Sequence, residues 1–222
     1  MNINFKNILA AFTIATALVA CQGAPNADKA TVSDKQNEAT ASGTNYKIDT
    51  ATSEITWVGT KPVGQHEGTF NLNEGTLIVQ NGEIVGGNFT IDILSLNNKD
   101  LEGETKGMLE GHLKGADFFD VEKYPTATFT ITDVQPFDST TNRSLLAGAT
   151  HFISGNLKLK DSTKNISFPA VVQKQGNAIT AKANFNIDRT NWGMSYGNDK
   201  SLQDKFIRPE VNLQLNITAL DQ

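Results

Sequence analysis

Three histidines, His66, His112 and His151, are the side chains of this 222-residue chain best suited to acid–base or metal chemistry near neutral pH. None of them lies at the short spacing with which one strand or helix presents a pair of metal ligands. His66 and His112 could still meet in space, as metal ligands or as an acid–base pair. That alternative keeps an enzyme open, although the spacing itself favours a protein without a metal site.

A cluster of acidic residues flanks an aromatic pair: Asp117, Asp120 and Glu122 lie around Phe118 and Phe119. Two carboxylates in different surroundings can divide acid and base roles, but a solvated loop explains this cluster more simply. We identify no nucleophile elbow and no phosphate-binding glycine loop. We therefore predict a protein that is not an enzyme and that uses neither a metal nor a cofactor.

The single cysteine, Cys21, follows an apolar run over residues 8–20 that Lys6 precedes. This run is too short to span a bilayer and is typical of a secretory signal peptide. The tetrad at residues 18–21, LVAC, resembles a bacterial lipobox, in which the cysteine is diacylated and becomes the mature N-terminus. We therefore predict a lipoprotein signal peptide over residues 1–20 and lipid attachment at Cys21; an ordinary signal peptide followed by a chance cysteine is the alternative.

Residues 21–45 change abruptly to small and polar side chains, with Val32 as the one branched aliphatic residue. Such a segment buries too little apolar surface to offset its ordering entropy, so we predict a disordered tether. Acylation of Cys21 would attach the protein to a bacterial envelope membrane. Gln22 stands where an inner-membrane retention signal commonly carries aspartate, which favours the outer membrane, facing the periplasm.

Apolar and polar residues alternate along many segments of residues 46–222, as in half-buried antiparallel strands. The clearest alternation covers residues 89–93, 179–187 and 211–219, and turn signals separate the segments, among them Asn73-Glu74-Gly75, Asn81-Gly82, Lys160-Asp161 and Gln175-Gly176. Only residues 96–120 break the pattern, and there we predict one or two short helices. Periodicity alone leaves a barrel and a sandwich open.

Three motifs stand out along the chain: residues 64–70 read GQHEGTF, residues 117–129 read DFFDVEKYPTATF, and residues 185–194 read FNIDRTNWGM. Together they resemble the YceI-like family. The resemblance extends over residues 46–219 and implies an all-β fold, an extended lipocalin-like antiparallel β-barrel with one or two short helices. It also implies a barrel that binds polyisoprenoid or other long-chain lipids. The helical connection would then form either a lid over the cavity or a plug that packs Phe118 and Phe119 into the barrel end.

The ligand expected from this resemblance is a polyisoprenoid, an isoprenoid quinone or a fatty-acyl lipid, held among inward-facing apolar side chains. The candidate ligand-binding residues are Trp57, Phe89, Ile91, Ile93, Leu109, Phe118, Phe119, Phe129, Ile131, Phe168, Phe185, Trp192 and Arg189. A guanidinium suits the phosphate oxygens of a head group, but the interpretation we favour for Arg189 is a structural pair with Asp188 or Glu210.

Two further classes of partner follow from charge and fold. The net charge of −5 disfavours nucleic acid. If side chains fill the barrel completely, the protein is instead a ligand-free interaction or stress-related envelope module. The sequence leaves a homodimer open.

Overall fold

The computed structural model describes residues 23–221, and within them no helix is long and apolar enough to cross a membrane. The predicted signal peptide and Cys21 lie outside the described residues. The strands are β1 (Asp28–Lys29), β2 (Thr31–Asp34), β3 (Thr44–Ile48), β4 (Glu54–Lys61), β5 (Gly64–Gln80), β6 (Glu83–Asn98), β7 (Thr126–Pro136), β8 (His151–Leu159), β9 (Ser162–Gln175), β10 (Ala178–Asp188) and β11 (Glu210–Asp221). One α-helix, α1 (Gly103–Lys114), and 3₁₀ turns at Arg189–Trp192 and Lys200–Lys205 complete the described elements.

These strands close into an eight-stranded antiparallel barrel, which confirms the predicted all-β, lipocalin-like fold. β3 and β4 share one position in the wall, because each of them pairs with both β5 and β11. From there the order runs through β5, β6, β7, β8, β9, β10 and β11 back to the start. The helix α1 fills the connection between β6 and β7, where the sequence predicted a helical segment.

Two-residue turns connect the strands of several hairpins, and the residues in these turns explain their backbone geometry. Asn81 and Gly82 both have positive φ, 54° and 90°, between the paired residues Gln80 and Glu83. Asparagine and glycine are the residues that adopt this geometry most readily.

The predicted turn at residues 73–75 is wrong: Gly75 lies inside the continuous strand β5, next to a register shift between Leu72 and Glu74. A Cβ on Gly75 would lie 2.6 Å from the Cβ of Phe89, so this glycine permits close packing in a bulged strand.

The N-terminal segment corrects the expectation of a disordered tether over residues 21–45. β9 and β10 pair with each other only over residues 170–175 and 178–183. Beyond that point they separate, and β1 pairs with the free edge of β10 while β2 pairs with the free edge of β9. Ala30, between the two short strands, is buried. Backbone hydrogen bonds to the unpaired strand edges order this polar segment, which its lack of apolar side chains could not predict.

The chain then continues across the outside of the barrel toward β3. The side chain of Asn156 bonds both the amide and the carbonyl of Gln36, and the Ala39 amide donates to the Ile131 carbonyl at 3.3 Å. We call residues 28–41 the N-terminal strap. The strap closes the gap between β9 and β10 and covers part of the β7–β8 wall.

Candidate ligand cavity

The barrel encloses an apolar cavity of about 270 Å³ in the half nearest α1. This is close to the lower end of the ~300–1,000 Å³ range of small-molecule sites. Most of the predicted ligand-binding residues line it: Trp57, Phe89, Ile91, Ile93, Leu109, Phe118, Phe119, Phe129, Phe168, Phe185 and Arg189. The alternation of apolar residues in β6, β7, β9 and β10 places the six of these side chains that lie on those strands on the inner face of the wall.

Two predicted residues lie elsewhere. Ile131 lines a smaller space of about 30 Å³ in the other half of the barrel. Trp192 lines neither of these two spaces; it is fully buried, and its indole N–H donates to the Leu157 carbonyl at 3.0 Å. The prediction that Trp192 contacts the ligand therefore lacks support. Its indole N–H is hydrogen-bonded to β8, and its ring is buried between the 3₁₀ turn and the wall.

Aromatic rings form the floor of the cavity. Phe89 stacks on Phe129 with 5.2 Å between ring centroids, and Phe168 stacks on Phe185 at 4.0 Å. Phe129 and Phe168 lie 5.9 Å apart and join the two pairs. Phe89, Phe129 and Phe168 line both the large and the small space, so they separate a hollow half of the barrel from a packed half.

The inner face of β11 shows the same division. Ile217 and Ala219 are buried at 4% and 0% exposure, whereas Val211, Leu213 and Leu215 stay half-buried although they occupy the same inward phase. All three half-buried residues line the large cavity. Their accessible surface therefore faces the interior space rather than the outside of the barrel.

The helix α1 and the loop after it cover the hollow end. Leu109 and Leu113 turn toward the cavity, whereas Met108 is exposed on the opposite side of the helix. Phe119 packs edge-on against Phe70 of the wall, with 5.5 Å between centroids, and Phe118 is buried. The end of the barrel thus has features of both predicted arrangements. The aromatic pair packs at the α1 end of the cavity, and the helix lies over the cavity.

Arg189 holds the loops of this end together. It is 4% exposed, and its guanidinium donates to the carbonyls of Met194, Tyr196 at 2.8 Å and Ile207 at 3.0 Å. Its Cζ also lies 5.5 Å from the centroid of the Phe118 ring. Burial lowers the pKa of Arg189, and the nearby Asp188 partly offsets this; an arginine nevertheless stays protonated.

The partners of Arg189 differ from the predicted Asp188 and Glu210. The Asp188 carboxylate accepts from the amide and hydroxyl of Thr190, as an N-cap of the 3₁₀ turn. Glu210 pairs with Lys29 of β1 at 3.1 Å. Backbone carbonyls therefore satisfy Arg189, because the loops after the 3₁₀ turn and before β11 converge on it.

Two of the three histidines lie at the same end of the cavity, each with its own carboxylate. His66 Nδ1 lies 2.8 Å from Asp100, and His112 Nε2 lies 3.2 Å from Asp117. Burial alone would raise the pKa of Asp100, but hydrogen bonds from the Glu67 amide and the His66 and Asn98 side chains outweigh it, and the pKa is lowered. Within residues 23–221, no group of three His, Cys, Asp or Glu side chains is placed to hold a metal ion.

Residues 193–197 read GMSYG and match the spacing of a nucleophile elbow, which the sequence interpretation did not identify. That motif requires a sharp turn between a strand and a helix. Here a 3₁₀ turn precedes it, and Ser195 is exposed. Among the described residues its hydroxyl has no hydrogen bond to a histidine, so the motif carries no catalytic assignment.

Sequence reasoning also missed several residues that line the cavity near α1: Gly59, Thr60, Lys61, Met194, Ile207 and Arg208. They lie at the end of β4 and in the loop before β11, where the alternation of apolar and polar residues stops. We call the end of the cavity lined by Lys61, His66, His112 and Arg208 the mouth, because it combines cavity lining with partly exposed polar side chains.

Comparison with solved structures gives the same fold. Burkholderia cenocepacia BcnA superposes with a TM-score of 0.61 at 22% identity, over 78% of this chain and 99% of that protein. A polyisoprenoid binding domain from Saccharophagus degradans, implicated in plant cell wall breakdown, superposes with a TM-score of 0.60 at 18% identity, over 80% and 98% of the two chains. The YCEI protein of Campylobacter jejuni gives 0.51 at 20% identity, over 69% and 84%.

No curated protein matches the sequence of this chain. The family model of the YceI-like domain matches residues 46–219, which are the part of the chain that forms β4 to β11 and most of β3. This span also contains the aromatic floor, α1 and the mouth. The chain therefore belongs to the YceI-like domain family.

Proposed function

We propose that this protein binds a long-chain apolar ligand inside its barrel and sequesters or carries it in the bacterial envelope, without catalysis. The ligand classes that suit the cavity are a polyisoprenoid, an isoprenoid quinone and a fatty-acyl lipid. One observation carries the proposal: the inward-facing residues Val211, Leu213 and Leu215 remain accessible inside a wall that is otherwise packed. Apolar surface in such a space gains about 25 cal/mol per Å² when an apolar chain covers it.

The related domain from Saccharophagus degradans supports the isoprenoid class, since it is described as polyisoprenoid binding. Its identity to this chain is 18%. The cavity here has a volume of about 270 Å³ with aromatic rings at its floor. A flexible unsaturated chain would fit such a floor through contacts with the ring faces.

We also propose that Cys21 carries the lipid anchor and that the protein is attached to the outer membrane, facing the periplasm. The order of the N-terminal segment changes what this anchor would do. The Asn186 side chain donates to the Pro25 carbonyl at 3.0 Å, so the chain is already attached to the barrel at Pro25. Pro25 is four residues after Cys21, and four residues span at most about 14 Å. The anchor would therefore hold the barrel close to the bilayer rather than at the end of a long tether.

The experiment that tests ligand binding is native mass spectrometry of the purified full chain, with extraction and identification of any bound lipid. Leu213→Trp should fill the hollow half and abolish lipid binding, with little loss of stability because open space accepts the added volume. The matched control is Ile179→Trp, since Ile179 is 1% exposed and lines neither space. Overpacking there should cost about 1–3 kcal/mol and leave lipid binding unchanged.

Two results together would contradict the carrier function: a wild-type protein that holds no lipid, and a Leu213→Trp variant that is destabilised as much as Ile179→Trp. They would favour a ligand-free interaction module.

The enzyme alternative rests on His66 and His112 at the mouth. His66→Ala and His112→Ala should each leave lipid binding intact. If either substitution kept binding but abolished a measurable turnover of the bound lipid, the non-catalytic function would be wrong.

For the anchor, Cys21→Ser should move the protein from the membrane fraction to the soluble envelope fraction.

A further inference from the structure

Three buried polar atoms near α1 have no hydrogen-bond partner within the described chain: Trp57 Nε1, Thr60 Oγ1 and Arg208 Nε. Buried polar groups in proteins are almost always hydrogen-bonded, so each exception calls for an explanation. All three atoms belong to residues that line the large cavity. A ligand in that cavity would therefore meet those of these unused polar groups that face inward, as well as the apolar wall.

The three residues are adjacent in the fold. The Arg208 amide donates to the Thr60 carbonyl at 2.9 Å, which joins the loop before β11 to the end of β4. Trp57 lies three residues before Thr60 on the same strand, so the two side chains leave β4 on opposite faces. Trp57 pairs with Leu213 of the inner wall and faces the cavity, and its indole covers Gly68, where a Cβ would come within 2.6 Å of the ring. Going inward from the mouth, the order is thus Arg208, then Trp57, then the apolar cavity.

The side chains that line the mouth carry charges of one sign. The cavity is lined by Lys61, Arg189 and Arg208, and none of its lining residues is an aspartate or a glutamate. The carboxylates of Asp100 and Asp117 at this end pair with His66 and His112. Arg189 is occupied by four backbone carbonyls. In residues 23–221, neither Lys61 nor Arg208 takes part in a salt bridge, so a local positive charge persists on a chain whose net charge is −5.

We propose that the ligand is an amphiphile with an oxyanion head group, a carboxylate or a phosphate, which Arg208 binds at the mouth. The guanidinium of Arg208 presents a planar fork of donors that matches such oxygens. Trp57 donates to the next oxygen toward the tail, and the tail occupies the apolar cavity. This inference rests on the proposed function and narrows it, because a neutral ligand would leave the cations of the mouth without a counter-charge.

The test uses the full chain after removal of bound lipid, and a neutral fluorescent probe, N-phenylnaphthylamine, that occupies the cavity. Palmitate, hexadecyl phosphate and hexadecanol are then titrated as competitors with the same tail. We expect either anion to displace the probe at a concentration at least about tenfold lower than the alcohol, since a hydrogen bond to a charged group is worth that factor or more. Whichever anion is tighter identifies the head group as carboxylate or phosphate.

Arg208→Gln should remove the preference for the anion while leaving hexadecanol unchanged. The matched control is Arg143→Gln, because Arg143 is exposed and does not line the cavity; it should behave as the wild type.

Equal affinity for the anions and the alcohol would overturn the inference, and so would an equal loss in Arg208→Gln and Arg143→Gln. In those cases probe binding shows that the cavity still accepts apolar molecules, so the proposed function stands. If neither the probe nor any competitor binds, the proposed function fails, and the head-group assignment fails with it.

Discussion

Arg189→Lys tests whether the buried guanidinium is the link that holds the cavity end together. Arginine here donates to carbonyls of Met194, Tyr196 and Ile207, which belong to two separate loops. A lysine keeps the charge but concentrates its donors on one atom, so it cannot reach both loops in the same geometry. We expect it to lose two of these bonds.

The size of the effect follows from the bonds lost. A hydrogen bond to a charged group contributes about 1.5–3 kcal/mol, so two of them amount to about 3–6 kcal/mol of the free energy of unfolding. With a urea m-value of about 2 kcal/mol per M, the unfolding midpoint should fall by about 1.5–3 M. The assay is equilibrium urea unfolding followed by tryptophan fluorescence, since Trp192 is buried beside the substituted residue.

Arg143→Lys is the matched control, because Arg143 is exposed and surface substitutions change stability by about 0.5 kcal/mol or less. The reasoning is refuted if Arg189→Lys unfolds within about 0.5 M urea of the wild type, a shift of about 1 kcal/mol at the same m-value. Such a result would show that the carbonyls of the two loops find other donors at little cost.

Three other changes have expected outcomes. Gly155→Ala should cost about 1–3 kcal/mol by urea unfolding, because the added Cβ would come within 2.2 Å of the Phe129 ring; an unchanged midpoint would show that the floor shifts freely. Deletion of residues 24–36 should lower the melting temperature by several degrees, and a deletion mutant as stable as the full chain would mean that β1 and β2 add nothing. Asp100→Asn should cost about 1–2 kcal/mol at pH 7. The pKa of Asp100 is lowered in the fold, so this stabilisation is present above about pH 4 and is lost as the pH falls through the folded value; a difference between wild type and variant that stays constant from pH 7 to pH 3 would contradict it.

The inner wall of the barrel could be predicted from sequence because it depends on a local rule. Alternation in β6, β10 and β11 determines which side chains face inward, and the structure places Phe89, Ile91 and Phe185 accordingly. The rule does not reach Trp192, which follows β10 in a 3₁₀ turn where a period of two no longer applies. The turn prediction at residues 73–75 rested on residue types instead, and it failed because this turn-forming sequence lies in a bulged strand that neighbouring strands keep extended.

Features that depend on distant parts of the chain could not be predicted in this way. Thr60 and Arg208 meet through a backbone hydrogen bond between residues far apart in sequence, and no spacing pattern marks either of them. The strap is similar, since its order comes from unpaired edges of β9 and β10 rather than from its own side chains. Composition measures what a segment can bury, whereas these contacts depend on what the rest of the fold leaves unpaired.

The position of the strap also affects the order in which the protein can fold. Asp28 pairs with Phe185 and Thr31 with Ser167, so the first strands to be synthesised wait for partners near the end of the chain. Strand pairings between residues so far apart in sequence form late, because the chain loses the entropy of closing the loop before any contact between the strands stabilises it. Until then the edges of β9 and β10 can pair with another chain. During synthesis, the interval before the strap docks should therefore be when this barrel is most prone to aggregate.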